Sequence, residues 1–194
     1  MLARPKSPLV SIQQYLEADR AADYRSEYDA GHVVAMAGAS RNHNQLVANI
    51  SAALINRLHD KACNSYTTDL RVAIPSAGRF YYPDLVIACN PETYDEMLDP
   101  PALTHPVAIL EVLSPSTEAR DRGEKFLWYQ TIPSLREYIL VSQWPRRFEY
   151  FLRSDAGQWV YRGDLTNPQN LEVHAVQQRI TVEEVYNKVS EESA

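Results

Sequence analysis

Residues 84–88 read Asp-Leu-Val-Ile-Ala and residues 107–113 read Val-Ala-Ile-Leu-Glu-Val-Leu, and these two runs decide the fold. Neither run alternates between apolar and polar residues, so both are predicted to be central strands of a sheet that is covered on both faces. Each run nevertheless carries one acid, Asp84 or Glu111. An ionised carboxylate removed from water requires a cation, a metal ion or a proton. The two acids therefore indicate a shared partner.

Pro83 directly precedes Asp84. Because proline lacks the backbone donor of a strand, it is tolerated in a sheet at edges, first positions or bulges. This position predicts a local kink that aims Asp84 into a cleft. The alternative is an ordinary strand start at Asp84, with Glu111 paired to an arginine such as Arg120, and each acid taken singly favours that alternative.

The rest of the chain predicts helices and hairpins around these strands. The apolar stripe from Leu46 to Leu58 predicts an amphipathic helix over about residues 40–60, and Ser11 can cap a shorter helix. Turns at 29–31 and 75–78 predict two hairpins, the second formed by runs 66–74 and 79–88. Further predicted elements are a helix between 116 and 130, capped by Asp121 and Glu124 if it starts late, strands at 137–142, 147–153 and 158–162, an edge strand at 171–175 and a final helix at 182–189.

Length and composition indicate a folded protein. The 194 residues suit one domain over 11–194, preceded by a flexible arm over 1–10 that contains two prolines and no periodic pattern. With 45% hydrophobic and 23% charged residues, disorder, collagen and coiled coil are disfavoured. The net charge of -6 has the wrong sign for coating nucleic acid by bulk electrostatics, so any phosphate contacts must be local.

Cellular location is predicted from the cysteines and from apolar runs. Cys63 and Cys89 form no CxxC pair and are interpreted as two small apolar side chains in a reducing compartment. The N-terminal residues include no apolar signal-like segment, and no run approaches the roughly 18 apolar residues that span a bilayer. We therefore expect a cytoplasmic protein without a membrane segment.

Four segments together carry a family resemblance. These are Tyr82-Pro-Asp-Leu-Val, then Ile109-Leu-Glu-Val-Leu-Ser-Pro-Ser, then Asp121-Arg-Gly-Glu-Lys-Phe-Leu-Trp-Tyr, and finally Glu137-Tyr-Ile-Leu-Val. The ordered set resembles the Uma-type putative restriction endonuclease family of the PD-(D/E)xK nuclease superfamily, from about Tyr24 to about Arg153. The resemblance implies an α/β fold with a restriction-endonuclease-like core, in which a central mixed β-sheet is flanked by helices and carries additional β-hairpins.

One position departs from the superfamily pattern. Its usual lysine would stand two residues after Glu111, on the same side of the strand, but position 113 is Leu. In Uma-type sequences the lysine lies on the following helix, where this chain has Lys125, and its long stem can carry the ammonium back to the same point. Without the resemblance, a surface pair between Lys125 and Asp121 is the better interpretation.

The resemblance implies phosphodiester hydrolysis. Asp84, Glu111 and the backbone carbonyl of Val112 would bind Mg²⁺, with Mn²⁺ able to substitute, and Lys125 would orient water or stabilise charge on the phosphate. The family also places Glu27 near the cleft, as a ligand of a second metal or a holder of water, although a solvent-facing hairpin residue is an equal alternative.

Substrate contacts are predicted less directly. His43 lies near the start of the long helix, where the family often has a histidine, and a satisfied polar residue is the alternative. Arg120 and Arg122, with Arg146, Arg147 and Arg153, could form a positive rim, or they could be ordinary surface charge.

The leading hypothesis is a Mg²⁺-dependent endonuclease acting on DNA. It would be a homodimer, because cutting both strands requires two active sites, with its interface around residues 144–161. Two alternatives remain open: a catalytically silent nuclease-fold module for binding or assembly, and an enzyme that hydrolyses a small phosphodiester.

Overall fold

The computed structural model describes residues 9–36, 38–96, 98–163 and 168–191. It confirms the predicted mixed α/β architecture. Its central sheet has the strand order β12 (Trp159–Arg162), β11 (Phe148–Arg153), β10 (Glu137–Val141), β9 (Ala108–Val112), β6 (Leu85–Cys89) and β3 (Cys63–Thr67). Strands β9 and β10 are parallel, and the other neighbouring pairs are antiparallel.

The two acid-bearing runs are neighbours in this sheet and are covered on both faces, as predicted. Alternate side chains of β6 and β9 enter two different hydrophobic clusters, Ile87 and Leu110 in one and Val86 and Ile109 in the other. The first cluster includes the long helix α2 (Arg41–Leu58), which lies within the predicted 40–60 and is capped by Ser40. This double burial explains why neither run alternates with polar residues.

A second six-stranded sheet packs against the other face of the central sheet. Its order is β2 (His32–Ala35), β1 (Ser26–Asp29), β5 (Arg79–Tyr81), β4 (Val72–Ile74), β8 (Ala102–Leu103) and β7 (Tyr94–Asp95). The predicted hairpin turn at 29–31 is present between β1 and β2.

The hairpin predicted from 66–74 and 79–88 is more divided than expected. Each run forms two short strands, one in each sheet, so β4 pairs with β5 and β3 pairs with β6. Pro83 lies between β5 and β6, where a residue without a backbone donor breaks the ladder. The proline therefore marks the passage from one sheet to the other, with Asp84 immediately after it.

The remaining helices differ in detail from prediction. Helix α1 (Ile12–Ala21) begins after its cap, Ser11. The predicted helix at 116–130 consists of α3 (Glu118–Arg120), a π-helical turn (Asp121–Lys125) and α4 (Phe126–Tyr129). This segment already begins at Glu118, so the late start on which a capping role of Asp121 and Glu124 depended does not occur.

The C-terminal segment forms a separate small unit on the first cluster. The predicted edge strand is β13 (Asn170–Val173), which pairs with β14 (Gln178–Thr181) rather than with the central sheet. The final helix, α5 (Val182–Val185), is shorter than the predicted 182–189. Glu137 of β10 fixes the unit, since it accepts hydrogen bonds from the backbone N–H of Ala175 at 3.0 Å and from His174.

The prediction for the cysteines is wrong. Cys63 and Cys89 lie directly opposite each other on β3 and β6 and form a disulfide. Sequence spacing alone did not show this register.

Most of the predicted N-terminal arm, residues 1–8, lies outside the described residues, while Val10 donates a hydrogen bond to the carbonyl of Gly31 at 2.9 Å. Among the described helices, none combines the length and apolar character needed to cross a bilayer.

Candidate active site

Asp84 and Glu111 meet at the junction between the two sheets. Strands β6 and β9 pair with Leu85 opposite Leu110, which brings the next residues, Asp84 and Glu111, beside each other on one face. The backbone N–H of Asp84 donates to Glu111 Oε2 at 3.2 Å, and the backbone N–H of Val112 donates to Asp84 Oδ2 at 2.7 Å. Both side chains are buried. The pairing register thus brings together two acids that are 27 positions apart.

Lys125 reaches the same point from the helical segment. Its Nζ lies 3.0 Å from Glu111 Oε1, 3.0 Å from Glu27 Oε1 and 3.4 Å from Asp121 Oδ1. The side chain is only 7% exposed, so the pair that Lys125 forms with Asp121 is present but is buried and not on the surface. The ammonium occupies the place beside Glu111 that Leu113 cannot fill.

Asp121 is a member of this cluster that the sequence did not identify as a site residue. It is buried, and the π-helical turn places it on the same side as Lys125. Single π-helical turns within helices are frequent at functional sites. The available signal was the spacing of four residues between the two charges, which indicated a surface pair as readily as a buried one.

Glu27 joins the cluster from the first hairpin. One carboxylate oxygen accepts the backbone N–H of Tyr82 at 3.2 Å and contacts Lys125, while the other is ion-paired with Arg120. The solvent-facing alternative for Glu27 is therefore wrong, as is the suggestion that Arg120 neutralises Glu111. The resemblance had placed Glu27 in the right region.

His43 contacts Asp84 directly. Its Nε2 lies 3.1 Å from Asp84 Oδ2, and its other ring nitrogen is buried without a described hydrogen-bond partner. Helix α2 supplies this contact from its first turn, where Ser40 Oγ accepts the backbone N–H of His43 at 3.1 Å. His43 thus belongs to the acid cluster.

The charges of the cluster are unevenly balanced. Four carboxylates, those of Glu27, Asp84, Glu111 and Asp121, surround Lys125 and Arg120. Burial raises the pKa of Glu111 well above its usual range; the Lys125 ammonium opposes this rise, while the neighbouring carboxylates add to it.

Burial likewise raises the pKa of Asp121. For Lys125, burial favours the neutral amine, but the charges of Glu111, Glu27 and Asp121 outweigh it and the net pKa is raised. The lysine is therefore held as a cation by the acids around it.

A cavity of about 620 Å³ opens onto the cluster. Its lining includes seven of the eight residues predicted for the site: Glu27, His43, Asp84, Glu111, Val112, Arg120 and Lys125. Arg122 is not in the lining, because its guanidinium is ion-paired with Glu118 and Glu149. Arg146, Arg147 and Arg153 are not in the lining either. Of the five arginines predicted for a positive rim, only Arg120 is among the described residues that line the cavity.

The donor set of the cluster suits a hard divalent cation. No group of three or more His, Cys, Asp and Glu side chains within the described part of the chain has the arrangement of a complete metal site. Mg²⁺ needs fewer, because it keeps several waters and commonly binds through one or two carboxylates. Asp84 and Glu111 supply two adjacent carboxylates, and a divalent cation there would offset both the burial of the Glu111 charge, which is the main cause of its raised pKa, and the smaller effect of the neighbouring carboxylates.

Comparison with known proteins gives a consistent result. The sequence model of the Uma2 family, described as "Putative restriction endonuclease", matches residues 12–183. Two proteins of Synechocystis sp. (strain ATCC 27184 / PCC 6803 / Kazusa) are similar, and both are called uncharacterized. Protein sll1609 is 34% identical over 161 residues, 82% of this chain and 90% of the relative. Protein slr1290 is 33% identical over 153 residues, 79% of each.

A solved structure has a similar fold. The crystal structure of a putative nuclease belonging to DUF820 from Anabaena variabilis ATCC 29413 superposes with a TM-score of 0.70, over 91% of this chain and 97% of that chain. The sequence identity is 10%, so the likeness is one of fold alone.

Proposed function

Because the chain belongs to the Uma2 putative restriction endonuclease family, we propose that it is a Mg²⁺-dependent endonuclease that hydrolyses DNA phosphodiester bonds. Family membership supports a nuclease kind of function. The observation that carries the finer proposal is the convergence of Asp84, Glu111 and Lys125 at the cavity, with Lys125 Nζ 3.0 Å from Glu111 Oε1.

In this proposal Asp84, Glu111 and the backbone carbonyl of Val112 hold the divalent ion. When bound, the ion would polarise the phosphoryl oxygen and activate water for attack. Mn²⁺ is expected to substitute, because it accepts the same oxygen ligands.

The chain's own residues orient the reactants. Lys125 places a fixed positive charge next to the acid that it contacts, where it stabilises charge developing on the phosphate. Glu27 holds the ammonium from the other side, and His43 orients the Asp84 carboxylate through its 3.1 Å contact. Arg120 lines the cavity and is ion-paired with Glu27. It can also contact a neighbouring phosphate if its guanidinium binds Glu27 and the phosphate at the same time.

We also propose that the active form is a homodimer. The segment around residues 144–161 exposes Trp144, Val160 and Tyr161, which two copies of the chain could bury against each other. Exposed apolar groups of this kind are typical of protein interfaces. Sedimentation equilibrium should give a mass near 44 kDa rather than the 22.1 kDa of one chain.

A plasmid-nicking assay with Mg²⁺ tests the proposal. We expect Asp84→Asn to lose roughly 100-fold or more of the cleavage rate, because one metal ligand becomes a neutral amide. The amide oxygen can still accept the backbone N–H of Val112, so the fold should persist, as circular dichroism would show. Asp155→Asn, at an exposed turn, is the matched control and should cut normally.

The alternative function is a nuclease-fold module that binds without cutting. The pairing of Lys125 with three carboxylates favours it, because a fully neutralised ammonium has little charge left for a phosphate. Absence of Mg²⁺- or Mn²⁺-dependent nicking by the wild type, together with retained DNA binding, would support this module and contradict the enzyme.

A further inference from the structure

The cavity has a second wall that the proposed chemistry does not use. Beyond the acid cluster, an apolar part of its lining comes from the end of β2 and from one side of α2. The lining also contains polar residues: Asn44, Ser51, Thr67, Thr68, Ser114, Ser116 and Thr117. The residues of this wall are Val34, Ala35, Met36, Val47, Ala48, Ala52 and Ile55. Several are open to solvent, with Ile55 54% and Met36 37% exposed. An exposed apolar surface that continues into a polar catalytic cleft is typical of a ligand subsite.

The wall begins beside the acid cluster. His43, which contacts Asp84, lies one residue before Asn44, and the lining then continues along α2 to Ile55. At 1.5 Å per residue this stretch is about 16 Å long. Ala48 and Ala52 lie four residues apart on one helix face and carry only a methyl group each, so this part of the wall is low and flat. A flat apolar surface accepts the face of a planar ring.

The charges of the cleft argue against a closed duplex as occupant. Proteins that bind double-stranded DNA place many Lys and Arg side chains on its phosphates. Here the described lining provides Arg120 and Lys125 as fixed cations, and both are already ion-paired with Glu27. The net charge of the chain is -6, so long-range electrostatic attraction to DNA does not compensate for the small number of cations in the cleft. Binding energy must come in large part from apolar contact.

We infer that this wall, which we call the base seat (Ala35, Met36, Ala48, Ala52 and Ile55), binds an unpaired nucleobase next to the phosphodiester held at Asp84 and Glu111. The substrate class is therefore single-stranded DNA, or an unpaired segment within a duplex. The inference rests on the proposed nuclease function for its placement of the phosphate. Because the seat is apolar, it accepts any base with little sequence preference.

Binding by fluorescence anisotropy tests the base seat separately from catalysis. Ca²⁺ replaces Mg²⁺, so that DNA is not cut, and the probes are a thymidine 12-mer, a 12-mer of abasic residues with the same phosphates, and the thymidine 12-mer paired with its complement. Burial of the exposed part of Ile55 and its neighbours should make the thymidine 12-mer bind on the order of fivefold more tightly than the abasic chain. The duplex should bind less tightly than the single strand.

A matched pair of variants assigns the effect to the seat. Ile55→Ser removes an exposed apolar side chain from the seat and should abolish most of the preference for the thymidine 12-mer, leaving the abasic chain unaffected. Leu127 has a similar exposure, 52%, and is not in the cavity lining. Leu127→Ser should therefore change neither the preference for the thymidine 12-mer nor the binding of the abasic chain. Equal binding of the thymidine and abasic chains, or equal effects of the two variants, would overturn the base seat.

Cleavage of the same DNAs in Mg²⁺ separates this inference from the proposed function. Faster cleavage of the single strand supports both. Cleavage that favours the duplex overturns the base seat and leaves the nuclease intact. If neither DNA is cut but the thymidine preference and its loss in Ile55→Ser are present, the seat stands and the nuclease proposal fails.

Discussion

Lys125 lies at the centre of the site and joins three carboxylates. Its ammonium is buried among Glu27, Glu111 and Asp121, which arrive from a hairpin, a central strand and a helical turn. If Asp84 and Glu111 were each neutralised by an arginine of its own, there would be no reason to infer that they share a divalent ion. Arg120 does this for Glu27, but Asp84 and Glu111 have backbone N–H groups, His43 and Lys125 as partners.

Replacing Lys125 tests how far the cluster depends on this one charge. Lys125→Met leaves buried carboxylates without their cation and should lower the free energy of unfolding by about 3–5 kcal/mol at neutral pH. Urea unfolding measures the loss, with the exposed Lys61→Met as control.

The buried acids determine how the destabilisation by Lys125→Met changes with pH. Burial raises the pKa of Glu111 and Asp121 in the folded protein, so protonation of these carboxyls stabilises the fold as pH falls. The loss in Lys125→Met should therefore be smaller near pH 4.5 than at pH 8. A loss of the same size at both pH values would contradict the assignment of these acids to the cluster.

At the scale of elements, the π-helical turn aligns Asp121 with Lys125. Deletion of Gly123, which is exposed within that turn, shortens the spacing between Asp121 and Lys125 from four residues to three and so shifts the two side chains relative to each other around the helix. We expect cleavage to fall by roughly tenfold or more, because Lys125 and Arg120 no longer approach the cluster together. The nicking rate measures the loss of cleavage, and circular dichroism shows whether the deletion variant keeps its helical structure.

Gly123→Ala is the control for this deletion. Apart from its chain neighbours and its own helix backbone, no heavy atom of the described residues lies within 4 Å of the Cβ that the substitution adds. Alanine favours a helix over glycine by about 1 kcal/mol, so activity should be retained and stability unchanged or slightly raised. Normal cleavage by the deletion variant would contradict a role for the π-helical turn.

How much of this could be predicted depends on how local each feature is. The cap Ser11, the apolar stripe from Leu46 to Leu58, the turn at 29–31 and the apolar runs at 84–88 and 107–113 are local features. They predicted two helices, a hairpin and the central strands. The division of 66–74 and 79–88 between two sheets depends on tertiary pairing that no short window contains.

Within the site the same distinction holds. The acids on β6 and β9 were recognised because a buried strand disfavours them, and Lys125 and Glu27 because of the family resemblance. Asp121 was missed, because its spacing of four residues from Lys125 indicated a surface pair as readily as a buried one.

At the scale of the whole molecule, the Cys63–Cys89 disulfide joins an edge strand to the strand that follows Asp84. A bond closing a separation of 26 residues restricts the unfolded chain and should stabilise the fold by about 3.5 kcal/mol. Urea unfolding with and without dithiothreitol measures this, with Cys63→Ser/Cys89→Ser as the control that the reductant should leave unchanged. Identical curves for the wild type in both conditions would show that the bond contributes nothing.

Anomalous diffraction from a crystal soaked in Mn²⁺ tests the central claim most directly. The account predicts a peak at roughly 2.0–2.3 Å from a carboxylate oxygen of Asp84 and one of Glu111, with Lys125 Nζ still beside Glu111. A fully soaked crystal that shows no peak between these two acids, or a peak bound only by surface carboxylates, would contradict it.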